Sequence, residues 1–487
     1  MKKIVVVHFI PMRVLFFLLL PFVISSCLDR DVYEGGYGDN YVKYLYPYGN
    51  EAHHLIAEVA IVLSQSAESD HIITKIPVLK YNKSWLLMLT QDDCEHSAYS
   101  STWAAINGRP LSKSYYYSAE QLAAGDLPPD VITFGKTLGS TDGTGNEIRF
   151  AFTTTLLPED KSMEEVSHVN SGYMRNYSRF NMMKKLTWNN VTEMLAYDTG
   201  IALHDVNTRS VNHRDSLLKH FDIAQRLTHH KLSGRGIKVL AEPNGNHNYL
   251  LAAMDYHPIR IMTAQNTKSG GPLVERHYPY RIDSDLEKAV LQRTFYNNTF
   301  DITAHIEAEL KKEREEREGI HVGIHGTDVT FAQFLLWLNN NYGKDGDDSV
   351  WFPSFEEYYE YNYYRMNSSI DHEINGDTLR LLISLPSEQY FYYPSVTVNL
   401  SGIEYNQVRQ VLSNDAVTGL TYAPYDGGVM LNIDCRRFLY DHAAHFVKKY
   451  QISSTIMNRK DAIYFMEKLK ESPQKDELIK RINGYTK

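Results

Sequence analysis

Two adjacent carboxylates, Asp92 and Asp93, stand directly after an apolar run at 85–89 and the pair Thr90-Gln91. Neighbouring side chains on extended backbone point to opposite faces, so one carboxylate can hold a cation while the other meets substrate or water. A carboxylate kept close to a bound cation can also take a proton near neutral pH. His204 ends a second run, Gly200-Ile201-Ala202-Leu203. An imidazole there can ligate a metal through one ring nitrogen while a hydrogen bond orients the other. Taken singly, a strand-end Asp also suits a turn or a helix cap, so the elements that position these groups decide between the readings.

Seven runs of strand length supply those elements: 85–89, 148–154, 200–203, 237–241, 259–263, 320–324 and 350–352. Helical or loop segments separate most of them, which predicts parallel β/α units. The expected fold is α/β: a distorted barrel of about seven parallel strands, with an open doubly wound sheet as the alternative that shows the same alternation. Function then belongs at the carboxyl ends of the strands. Just past the runs come Asp92 and Asp93, Thr155, His204, Glu242, Gln265, His325 and Ser354. An Asn-Gly turn at Asn375-Gly376 precedes an alternating segment at 378–385, and further strands at 396–400 and 429–433 predict a C-terminal antiparallel β segment, followed by helices at 435–450 and 459–469. Segment 52–80 reads as another small β element. The charged stretch 307–318 mixes both signs at helical spacing and reads as a solvated helix face.

In the order of these motifs, residues 84–361 resemble the NodB-like polysaccharide deacetylases, metal-dependent hydrolases that remove N-acetyl or O-acetyl groups from glycans. The resemblance implies Asp92 as catalytic base, Asp93 and His204 as metal ligands, and His325, in His321-Val322-Gly323-Ile324-His325-Gly326, as general acid. His321, on the same strand face, is expected deeper, towards the floor. Glu242-Pro243-Asn244-Gly245-Asn246-His247 sits where the family has an Arg-x-Pro wall, which places Glu242, Asn244 and His247 against the substrate. Trp351, in Trp351-Phe352-Pro353-Ser354, belongs to the closing strand and joins them. Two departures stand out. The wall has no arginine, and the position four residues after His204 is Thr208 where the family has a second histidine. His213, one loop further, is the favoured third ligand, with Asp205 and His247 as alternatives. Zinc is the default metal for such a set, with cobalt, nickel or iron compatible.

Composition narrows the partners. Fifty Lys+Arg against 59 Asp+Glu among 487 residues give a formal charge of -9, which lacks the positive field that nucleic acid demands. Lys2, Lys3 and Arg13 precede an apolar run at 14–24 that ends in Ser25-Ser26-Cys27, an export signal resembling a lipobox, too short and too interrupted by Pro21 for a membrane span. The expected organisation is a signal peptide at 1–26, a tether and small β element at 27–80, a barrel at 81–365 and an accessory domain at 366–487. An acylated Cys27 would anchor an exported protein, expected to be a monomer, in an outer-membrane type envelope. Two rival readings remain: a glycan-binding lipoprotein on a retired deacetylase fold, and a metal-dependent hydrolase of a peptide or other amide.

Overall fold

The structure, a computed structural model, describes residues 42–45, 53–65, 71–170, 177–181, 185–206 and 211–485. The expected leader at 1–26 and Cys27 lie outside the described residues, as does the tether up to residue 41. Alternation of side chains along the first barrel strand sets the architecture. In β1 (Trp85–Gln91), Leu86 and Met88 pack into one buried cluster while Trp85, Leu87 and Leu89 pack into another. A strand buried on both faces is the mark of a parallel sheet between two layers.

The parallel strands follow as β2 (Thr153–Leu156), β3 (Gly200–Leu203), β4 (Val239–Ala241), β5 (Ile261–Ala264), β6 in two segments (Val290–Gln292 and Thr294–Phe295), β7 (Ile320–Ile324) and β8 (Val350–Trp351). Strand β1 pairs with β2, β7 and β8, and the series runs β2-β3-β4-β5 in chain order. The first segment of β6 pairs with β5 and the second with β7, so the bend at Arg293 closes the ring. The expected barrel is therefore present, nearly closed, with eight strands. The apolar run at 148–154 divides: Glu147–Arg149 joins a hairpin with Gly139–Thr141, and only Thr153 onward enters the barrel. Strand β6 is absent from the runs visible in the sequence because Gln292 and Arg293 interrupt it.

Helix Phe355–Asn367 forms the floor. Its Glu356 accepts hydrogen bonds from the Ile201 amide, Lys238 Nζ and Arg235 Nη2, each at 2.9 Å, at the amino ends of β3 and β4. Glu360 takes Lys238 Nζ at 2.8 Å and the amides of Tyr392 and Tyr393. Phe391, Tyr392 and Tyr393 are buried packing residues.

Two four-stranded antiparallel sheets lie outside the barrel. One runs Ser369–Asn375, Thr378–Ser387, His53–Leu63, Val408–Ser413, and the other Gly419–Tyr425, Gly428–Asp434, Ser395–Ser401, Ile73–Lys75. The predicted Asn-Gly turn connects the first two strands, with Gly376 at φ 65°. Segments before and after the barrel thus share both sheets. Val59, Ile61, Leu381, Val398 and Leu431 of the two sheets also share one apolar cluster with Leu86 and Met88.

Helices Leu439–Ile452, Ile456–Glu467 and Pro473–Asn483 pack on the outer cluster, where Phe446 and Phe465 stack at 3.9 Å. Asp461, fully buried, pairs with Arg109, with Arg149 at 2.7 Å and with Tyr197 Oη at 2.8 Å. Burial pushes its carboxyl pKa up, but Arg109 and Arg149 outweigh that and hold it below the usual carboxylate range. A depressed pKa contributes stability above the unfolded value of about 3.9 and loses it as pH falls through the folded value. Asp461→Asn leaves two buried guanidinium groups without a counter-charge and should cost about 3–5 kcal/mol at neutral pH. Urea denaturation should show that deficit shrinking as pH falls below about 4; a deficit unchanged with pH would contradict the pairing.

Candidate active site

Inward parity selects the mouth residues. Leu86, Met88, Thr90 and Asp92 share one face of β1; Ala202 and His204 share the inner face at β3; Leu291 and Arg293 do so on β6; His321, Gly323 and His325 lie opposite the outward Ile320 and Val322 of β7. Asp92 and Arg293 are both about 98% or more removed from solvent, and Arg293 Nη2 lies 2.8 Å from Asp92 Oδ2. The same nitrogen donates to the Glu242 carbonyl at 2.8 Å, and the Arg293 amide donates to the Ala264 carbonyl. Arg293 thus supplies the cation missing from the Glu242-Pro243 wall, from a different strand. Its sequence signal is faint: Val290-Leu291 before and Phe295-Tyr296 after Gln292-Arg293-Thr294, in a stretch between 264 and 320 too long for one β/α connection.

Strict alternation would turn Asp93 away from Asp92. Instead Asp93 and Cys94 adopt left-handed backbone, φ 61° and 52°. Such a residue costs roughly 1–3 kcal/mol and persists where its surroundings fix it. Here Lys185 Nζ donates to the Asp93 carbonyl at 2.7 Å and to Glu95 at 2.9 Å, the Cys94 amide donates to Thr155 Oγ1, and the Leu186 amide donates to the Cys94 carbonyl. Both carboxylates therefore approach one imidazole: His204 Nε2 is 3.3 Å from Asp93 Oδ1 and 4.0 Å from Asp92 Oδ2.

His204 Nδ1 lies 2.9 Å from the Ala241 carbonyl, to which it donates, and this bond aims Nε2 at Asp93. His204 holds the Asp93 carboxyl below its usual range through that contact; partial burial opposes it, and His325 and Lys185 reinforce it. His325, more than half exposed, sits with Nε2 3.9 Å from Asp93 Oδ2 and its ring 5.0 Å from Phe295. It faces Asp93 first and not Asp92. The nitrogen and oxygen donors of Asp93 and His204 fit zinc or a neighbouring divalent metal.

His213 does not join this pair. It is exposed at the amino cap of helix Arg214–Lys231, and His247 is the first residue of helix His247–Asp255. Among the described residues, no group of three ligand atoms within 4.8 Å contains His213, His247 or Asp205. The loop after His204 starts helix Arg214–Lys231 at His213, which commits that residue to the helix end. The group that does meet this spacing, His305, Glu309 and Glu318, has Glu309 already engaged by Lys312 Nζ at 2.6 Å and by the Glu318 amide at 2.8 Å.

Trp351 is also not at the mouth. It pairs with Leu86 at the amino end of β1, is 3% exposed, and packs against Tyr358 and Tyr361 of the floor helix. This two-residue strand pairs only with the first two residues of β1, which keeps Trp351 at the floor end. Glu242 is buried at the end of β4; burial raises its pKa, with Arg293 and Lys268 opposing. Asn244 is exposed, with φ 52°, and His247 half-buried.

Fold and site together define a β/α-barrel protein with carboxylates, an imidazole and a guanidinium gathered at the carboxyl mouth of its strands. A family model described as "Putative polysaccharide deacetylase" matches residues 57–483, nearly all of the described chain including both antiparallel sheets. The chain belongs to this polysaccharide deacetylase family. No curated protein matches it.

Arg293→Met strands the buried Asp92 carboxylate and should destabilise the protein by about 3–5 kcal/mol in urea denaturation. Arg293→Lys keeps a cation but loses the planar fork and should cost less. Equal stability of wild type and Arg293→Met would contradict the pair.

Proposed function

We propose that the protein is a divalent-metal hydrolase that removes acetyl groups, amide- or ester-linked, from a polysaccharide at the cell envelope, where an acylated Cys27 anchors it to the outer membrane. The observation that carries the reading is the placing of Asp92, fixed by a buried guanidinium, 4.0 Å from an imidazole that also faces Asp93. Asp93 and His204 are the residues to hold the metal, zinc by preference. When bound, the metal polarises the acetyl carbonyl and lowers the pKa of a water.

The chain's own groups supply the proton transfers. Arg293 occupies Asp92 Oδ2, and Asp92 Oδ1 is buried without a partner among the described residues. That oxygen takes the proton of the attacking water as its oxygen bonds to the acetyl carbon. His325, exposed at the rim, gives a proton to the departing nitrogen or oxygen as the carbon–nitrogen or carbon–oxygen bond breaks, and acetate is released. Glu242, Asn244 and His247 form the wall against the glycan.

One observation favours the alternative of a glycan-binding protein without turnover: among the described residues, Asp93 and His204 gain no third His, Cys, Asp or Glu within the 4.8 Å spacing. Metal content separates the two. The hydrolase reading expects about one metal per chain by mass spectrometry of the native protein, and acetate release from N-acetylglucosamine oligomers or an O-acetylated polysaccharide.

Asp93→Ala and His204→Ala should lose the metal together with acetate release, whereas Asp92→Asn should retain the metal and lose turnover. Equal metal loss in all three would overturn this division of roles. His325→Ala should retain the metal and slow release by roughly 10²- to 10⁴-fold. Unchanged release would remove His325 from the reaction.

A further inference from the structure

One layer below the mouth, the barrel interior carries a buried histidine that the reaction above does not use. Thr294 pairs with Val322 across the β6 and β7 strands, which sets Arg293 beside His321 on neighbouring strands, both facing inward. Neighbouring strands are about 4.8 Å apart, so the two side chains start side by side. His321 is 3% exposed; its Nε2 lies 2.7 Å from Thr90 Oγ1, and its ring packs against Phe355 at 4.9 Å. His321 Nδ1 is buried with no partner among the described residues. Arg293 Nε and Nη1 are buried with none either, because Nη2 alone serves Asp92 and the Glu242 carbonyl.

A guanidinium has donors only, so its buried N–H groups need an acceptor; a neutral imidazole offers one lone pair. Leaving such groups unmatched in the interior forfeits the hydrogen bonds they make with water in the unfolded chain. We propose that His321 is a positioning residue: with Nε2–H donated to Thr90 Oγ1, its Nδ1 lone pair meets Arg293 through one bridging water, and so fixes the guanidinium that fixes Asp92. Thr90 and Asp92 are two residues apart on the same face of β1, so the chain Thr90, His321, Arg293, Asp92 closes back on the strand that carries the base. Burial, with Arg293 and the neighbouring His277 adding to it, holds the His321 pKa well below the usual histidine value, which keeps the lone pair available. His277 Nε2 meets Tyr358 Oη while its Nδ1 is also buried without a partner among the described residues, so of the two neighbours Arg293 is the one that can only donate. This rests on the reading of Asp92 as the base.

The test uses the full metal-loaded protein and acetate release from N-acetylglucosamine oligomers. His321→Leu, which fills the space but offers no acceptor, should lower kcat by about 10- to 100-fold with KM and metal content within about twofold. His321→Asn, whose amide oxygen stands near the lost Nδ1, should recover part of that rate. In an Arg293→Lys background His321→Leu should cost much less than in wild type, because the acceptor no longer has its fork to hold. An unchanged kcat in His321→Leu, or losses that simply multiply in the double variant, would overturn the proposal. Should His321→Leu fail to fold, histidine-selective nitrogen NMR of the otherwise intact protein decides: Nδ1 should carry the lone pair and shift on Arg293→Lys, and a proton on Nδ1 would overturn it. Full turnover in Asp92→Asn would instead overturn the reading of the base and leave the His321 tautomer readable on its own.

Discussion

A guanidinium and a carboxylate meet at 2.8 Å inside the barrel, each almost wholly out of water. Removing charges from water is costly, and the contact offsets that cost only while the partner stays in place. Much of the mouth follows from this constraint. Arg293 must reach inward, so β6 bends there and hands its pairing from β5 to β7, which closes the ring. The Glu242 carbonyl must stand within reach of the same nitrogen, which sets the end of β4 next to the Ala241 carbonyl that orients His204.

The opposite end of the barrel repeats the theme with different residues. Lys238 and Arg235 meet Glu356 and Glu360 with all four side chains nearly or fully buried, and the backbone of Tyr392 and Tyr393 completes the acceptors' set. This ties the floor helix to the strand Ser395–Ser401 of the outer sheets. Asp461 does the same between the C-terminal helices and Arg109 and Arg149. Apolar packing supplies most of the burial, and these networks fix how the layers are joined, because a misplaced partner leaves a charge buried and unpaired. A rigid floor and wall matter for a site in which Asp93 is held in left-handed backbone by Lys185 and Thr155.

The barrel was legible in the sequence wherever an apolar run was unbroken. Runs at 85–89, 200–203, 237–241, 259–263 and 320–324 became strands, and the residues after them, Asp92, Asp93, His204, Glu242 and His325, stand at the strand ends at the mouth. The strand carrying Arg293 was hidden by the residue that makes it important, since a buried arginine breaks the apolar pattern that marks a strand. The depth of Trp351 is not legible, because it depends on the register of β8 against Leu86, which no local pattern encodes. The place of His213 is not legible either, because loop length alone does not say whether a side chain returns to the mouth or starts a helix. The sharing of both outer sheets by segments before and after the barrel is a long-range pairing, equally invisible to local periodicity.

The base depends on a guanidinium relocated to β6, and chemical rescue tests that dependence most directly. In Arg293→Ala, soluble guanidinium ion should restore part of the acetate release in a saturable way, and it should do so neither in Asp92→Asn nor above the wild-type rate. An Arg293→Ala protein that releases acetate at the wild-type rate without added guanidinium would contradict that dependence.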